Sequence, residues 1–226
     1  MATLLQITGM PSTGKSRGVR ELDPKTTFYI DADKKGLPWA GWKKDYSVEN
    51  KNYIRTSDLD TIRQVLSSIN TKAPHIKTIV IDTINGILTD KVMLDMRKAS
   101  FDSWRDMALD AYALYDEIRD QLREDLIVVI MAHVEEYTIN GAGGSKVSRF
   151  RTLYPGKQMT KLNMYGKLNY NLYTHVETPT PGTNEYYFIT QTDGTTEARS
   201  SEGVLPYKMP NSLLEVVTKI REAELN

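Results

Sequence analysis

The stretch ITGMPSTGKS places Gly9, Gly14, Lys15 and Ser16 in the pattern G-x-x-x-x-G-K-[ST]. Those residue types at that spacing suit the capture of a polyphosphate. Glycines let the backbone curl until successive N–H groups point inward at an anion. Lys15 reaches the β- and γ-phosphates, and the Ser16 hydroxyl ligates Mg²⁺. Pro11, Ser12 and Thr13 complete the loop, and Arg17 follows at the start of a helix whose N-terminal partial charge also favours phosphate. The loop implies ATP and Mg²⁺ as cofactors.

Magnesium requires a carboxylate, usually at the tip of a neighbouring strand. KTIVIDT supplies Asp82 after an apolar β run, so Ser16 and Asp82 form the expected metal pair. A second strand ends in DAD, where Asp31 or Asp33 is placed to polarise an attacking water. The motif MAHVEE ends a further strand and sets His133 where a polar group can sense the terminal phosphate.

A different chemistry is suggested between Tyr137 and Val176, where no Asp or Glu occurs. Within that stretch lie Lys146, Arg149, Arg151, Lys157, Lys161 and Lys167, interleaved with Phe150, Tyr154, Tyr165, Tyr170 and Tyr173. Cations neutralise a phosphate backbone, and aromatic rings give bases a stacking surface that tolerates any sequence. Lys146, Arg149, Phe150, Arg151, Tyr154, Lys157, Lys161 and Lys167 are therefore the candidate contacts to single-stranded DNA.

The elements that must position these groups follow from pattern. Strands are expected at Thr3 to Thr8, Thr26 to Asp31, Thr78 to Ile81 and Leu126 to Met131, each short and continuously apolar. Between them the pattern predicts a helix starting at Lys15, one capped by Ser57, and a long amphipathic helix from Phe101 to Arg123. The alternation predicts an α/β fold with a mostly parallel, doubly wound sheet. Antiparallel strands follow at Tyr170 to Glu177 and Glu185 to Gln191, then a last helix from Ser212 to Ala223 capped by Asn211. Residues 136–168 read as a mobile, glycine-containing DNA-binding loop region within a single domain spanning 1–226.

Composition narrows the setting. Twenty-nine basic and 29 acidic residues cancel, so whole-chain charge gives no case for nucleic acid and any such case is local. Cysteine is absent, which excludes disulfides and thiolate metal sites and fits a reducing cytoplasm. The longest apolar run, LIVVIMA, is too short to span a bilayer, and MATLLQITG has no basic leader, so neither membrane association nor secretion is expected.

The ordered series GMPSTGKS, YIDAD, VIDTINGI, VIMAHVEE, the GAGG loop, YPGKQMTKL and TEARSSEG resembles the RecA-like branch of P-loop ATPases. More narrowly, it resembles the phage RecA-core ATPases of the Sak type, which act in single-strand annealing and recombination. The resemblance covers most of the chain. It implies a RecA-like core, DNA-stimulated ATP hydrolysis, and homo-oligomers on single-stranded DNA with the nucleotide between subunits. A single-strand-binding protein or replication factor is a further implied partner, and the host cytoplasm the implied location. A basic residue after the late strands would then reach the neighbour's phosphates. Arg199 is the match, although Glu197 stands where relatives carry lysine. Two other readings compete: a nucleotide-switched loader or scaffold with little turnover, and a small-molecule nucleotide kinase using 137–167 as a lid.

Overall fold

In the computed structural model, residues 1–96, 102–140, 144–155, 162 and 164–224 are described. The parallel part of the sheet begins with β1 (Thr3–Gly9), β2 (Thr27–Asp31), β3 (Tyr53–Ile54), β4 (Thr78–Asp82) and the first half of β5 (Ile127–Asn140). β1, β4 and the opening of β5 are buried throughout, which is why they read as unbroken apolar runs rather than alternating ones. β7 (Tyr170–Thr180) joins β1 in parallel, and β8 (Thr183–Ile189) and β9 (Lys208–Pro210) then add antiparallel. The order is β3-β2-β4-β5-β1-β7-β8-β9, with β6 (Lys146–Thr152) paired only to the far half of β5. The expected α/β fold, mostly parallel with antiparallel strands toward the C-terminus, is the one observed.

Alternate residues of each central strand feed two separate cores. Ile79, Ile81, Val128 and Ile130 face α2 (Leu59–Lys72), α3 (Ile84–Met96) and α4 (Asp102–Gln121). Val80, Val129 and Met131 face the opposite side, covered by the C-terminal helix Leu213–Glu224, here α5 once the four-residue α1 (Trp42–Asp45) is counted. Ala108, Tyr115, Ile118 and Leu122 of the anticipated α4 stripe are buried. Among the described residues no helix is long and apolar enough to cross a membrane.

Several expectations are corrected. The helix after the phosphate loop is a six-residue 3-10 helix, Ser16–Glu21. The helix ends at Leu22, whose backbone is already extended (φ −65°, ψ 142°), and a proline two residues on, Pro24, disfavours helix at Asp23. Asp58, not Ser57, caps α2, its carboxylate accepting from Thr61 N at 2.8 Å, while the Ser57 hydroxyl donates to Asp90 at 2.5 Å. Ser212, not Asn211, caps α5 through Glu215 N. The helix α3 was not anticipated, because its apolar residues follow no single helical face. The largest difference concerns 136–168. β5 runs 14 residues to Asn140 and turns back into β6, pairing from Val134↔Thr152 to Asn140↔Lys146. That stretch thus contains a β-hairpin and a 3-10 turn at Tyr165–Lys167.

Candidate functional site

Strand register brings the motif ends to one edge of the sheet. Asp31 pairs with Asp82 across β2 and β4, and Gly9 with His133 across β1 and β5. Strands buried on both faces have no freedom to slip, so residues 51 or 124 positions apart arrive side by side. β5 lies between β1 and β4, which sets His133 between the phosphate loop and Asp82.

The loop itself is tightly braced. Gly14 takes φ 98°, and Ser12 adopts φ 65° despite its side chain. A Cβ on Gly9 would lie 1.9 Å from Thr174 Oγ1, so β7 closes against the loop. Thr13 donates to Met10 O at 2.7 Å and shares a 2.5 Å contact with Thr174 Oγ1, which makes it a loop brace. Lys15 is buried, and its ammonium donates to Gly9 O and Met10 O, both at 2.8 Å. Burial pulls its pKa down to about 8, partly opposed by Asp82. Pro11 and Arg17 are exposed at the rim, Arg17 lying over the Tyr186 ring at 4.8 Å.

Ser16 donates to Asp82 Oδ2, joining the two expected metal residues directly. Tyr29, 53 residues away in sequence, also donates to Asp82 Oδ2, at 2.5 Å. Burial and then Asp82 push the Tyr29 pKa far up, so its hydroxyl stays a donor. The other oxygen, Asp82 Oδ1, is buried and has no hydrogen bond among the described residues. Such an orphaned carboxylate oxygen is costly unless a cation takes it. No described cluster of three or more His, Cys, Asp or Glu residues would hold a metal by itself. The Ser16 hydroxyl and the Asp82 carboxylate are hard oxygen donors of the kind magnesium takes, with waters and phosphate oxygens filling the rest of its shell.

The two acids of DAD separate clearly. Asp31 is fully buried and accepts from Lys35 N at 3.2 Å, Gly36 N at 2.8 Å and the Tyr53 hydroxyl at 2.7 Å. Those bonds hold the turn after β2. Asp33 Oδ1 accepts from the Thr83 hydroxyl at 2.8 Å, and its Oδ2 pairs with Lys35 at 2.8 Å. Burial would raise its pKa, but Lys35 and Thr83 together hold it below the usual value. His133 lines the same cleft with its Nδ1 buried and without a partner among the described residues. Burial first and the Lys15 charge second lower its pKa, so it stays neutral near pH 7. Its backbone is clamped: His133 N donates to Asn85 Oδ1 at 2.7 Å, Asn85 Nδ2 to Leu153 O at 2.7 Å, and Leu153 N to His133 O at 2.8 Å.

A family model described as an AAA domain matches residues 2–201. The chain belongs to that family. It is a P-loop ATPase domain, consistent with the cleft just described. Among solved structures, it is similar to the KaiC-like protein of the hyperthermophilic archaeon Pyrococcus horikoshii OT3, covering 92% of this chain and 84% of that one at 14% identity and TM-score 0.47. No curated protein matches the sequence.

Elsewhere in this AAA domain the expected DNA contacts scatter. Arg151 pairs with Glu135 at 2.7 Å and lies over Tyr137. Lys167 pairs with Asp116 and sits 3.6 Å from the Tyr112 ring centre. Tyr154 hydrogen-bonds to Tyr115 within the sheet–helix core, and Phe150 packs 5.9 Å from Tyr173. Lys146 is exposed near the hairpin tip, and Arg149 faces Tyr137 across the strands with its Nε lacking a described partner. Lys157 and Lys161 lie outside the described residues. Arg199 bridges Asn171 through its backbone, while its guanidinium donates to Leu168 O and covers Tyr165, away from the cleft. Glu197 accepts from Thr152 N at 2.9 Å and so anchors the hairpin root.

Residues missed in the sequence include Lys35, Tyr29 and Asn85. Lys35 is visible in DADKKG beside the two acids, but its place in the cleft comes from the turn after β2. Nothing local marks Tyr29 or Asn85, since each acts through register or a contact formed at a distance.

Proposed function

We propose that this AAA domain binds Mg·ATP in the cleft between the phosphate loop and Asp82 and hydrolyses it. The single observation carrying this reading is the Ser16 hydroxyl set on a buried Asp82 whose second oxygen has no hydrogen-bond donor. A magnesium ion between them would neutralise charge building on the β- and γ-phosphates. Lys15 would swing from the loop carbonyls onto phosphate oxygens. Asp33 is the acid best situated to accept from an attacking water, because Asp31 is committed to its turn. The interposed β5, which carries His133 to the cleft, favours hydrolysis over transfer to a small acceptor.

A second element of the proposal is that single-stranded DNA binds the β5–β6 hairpin and stimulates turnover, in oligomers acting in phage-type recombination or annealing. What supports it is continuity: β5 passes from His133 straight into the hairpin that presents Lys146 and Arg149. Arg199 is engaged within this chain, its guanidinium on Leu168 O and over the Tyr165 ring. ATP hydrolysis measured with and without single-stranded DNA, at two salt concentrations, tests both elements. Turnover abolished by Lys15→Ala is expected, with DNA stimulation that fades at high salt. Nucleotide binding without turnover, even with DNA, would instead favour a switched loader.

A further inference from the structure

Two lysines, not one, converge on the cleft. Lys15 comes from the loop, and Lys35 comes from the turn after β2. The Lys35 ammonium lies 2.8 Å from Asp33 Oδ2 and 3.6 Å from Asp82 Oδ1, the orphaned oxygen. Its side chain is 46% exposed, so it can leave those partners without unpacking any core. Its backbone is the reverse of free. Asp31 grips the amides of Lys35 and Gly36, and Tyr53 steadies Asp31 from the neighbouring strand. A fixed base with a free tip is the build of a cation that must be near one place but switch partners there. Metal and ammonium cannot both sit on Asp82 Oδ1, since like charges at that spacing repel strongly.

We propose that Lys35 is a second, cis-acting phosphate cation that reads the terminal phosphate of a bound nucleoside triphosphate. It guards the two carboxylates until the metal arrives, then turns to the γ-phosphate oxygens. Its departure releases Asp33 Oδ2, the oxygen that a water would need. Asp31 is then a positioning residue, acting through the Lys35 turn. A cation supplied in cis also gives the charge that Arg199, held on Leu168 and Tyr165, does not bring to this cleft.

This inference rests on the nucleotide reading, and calorimetry separates the two. Titrate wild type, Lys35→Ala and Lys35→Arg with Mg·ADP and with a magnesium complex of a non-hydrolysable ATP analogue. Lys35→Ala is expected to weaken the triphosphate analogue at least tenfold and the diphosphate less than threefold, with Lys35→Arg recovering most of the loss. Lys35→Gln gives the same read-out should the alanine variant unfold. Equal weakening of both nucleotides, or of neither, overturns the inference while leaving the nucleotide reading intact. Failure of the wild type to bind either nucleotide overturns both.

Discussion

The cleft edge of the parallel sheet and the β5–β6 hairpin both carry lysines and arginines, yet they treat them oppositely. At the cleft, Lys15 and Lys35 face buried acids and loop carbonyls that are themselves held by strand register. On the hairpin and beside it, Arg151 and Lys167 have each found an acid of this chain, Lys167 with only 10% of its side chain exposed. A run without acids in sequence does not stay free of acids in space. Asp116 of α4 and Glu135 of β5 reach into it from outside.

The largest expected effect lies at Lys15. Lys15→Met should lower Mg·ATP affinity at least a hundredfold by calorimetry, yet raise the melting temperature of the nucleotide-free protein. The sign follows from its pKa, which burial depresses to about 8 from an ordinary lysine's 10.5. Between those values the unfolded chain holds a proton that the native state has lost, so stability climbs with pH across that window. Below it the buried charge costs on the order of 3 kcal/mol, which methionine would remove. Melts at pH 7 and pH 10 should therefore converge in the variant but differ in wild type.

Next comes Gly86→Ala, which probes the packing behind the acids. A Cβ there would lie 2.5 Å from Asp33 Oδ1 and 2.9 Å from Ala32 O. The backbone must shift, at a cost of about 1–3 kcal/mol in chemical unfolding, and Asp33 must leave Thr83. ATP turnover should fall more than Mg·ATP affinity does.

The hairpin side is broken by two paired variants. Lys146→Ala with Arg149→Ala should weaken single-stranded DNA in fluorescence anisotropy and reduce the salt slope by about 1.4, as for two lost contacts. Arg151→Ala with Lys167→Ala should leave that slope unchanged, because both cations are already paired. Equal effects from the two pairs would erase the distinction drawn between them. The smallest change is expected from Tyr29→Phe. Removing one donor to Asp82 should shift the magnesium dependence of turnover by about fivefold, roughly 1 kcal/mol, without altering the fold.

Legibility in the sequence tracked the two regions. Gly9 and Asp82 end buried strands, His133 pairs with Gly9 across β1 and β5, and Lys15 and Ser16 follow the loop after β1, so the motif residues lie at one edge of the sheet. The unbroken apolar runs announced those strands, and the period of two left register no alternative. Asp31 and Asp33 could not be told apart, since the difference is a turn closed by Gly36 and Tyr53. The helix α3 went unread because it is apolar on several faces, and the hairpin because its residues are only half-covered.

By sequence alone this protein was determined to be an α/β phosphate-loop domain, since fixed spacing and buried strands need only local information. Tertiary structure alone decided which charges remain available. Partners such as Asp116 for Lys167, Leu168 for Arg199 and Asp82 for Lys35 are 51, 31 and 47 residues distant, and only folding brings them within reach. Electrostatic pairing acts over a few ångströms of space, and chain order carries no measure of that distance.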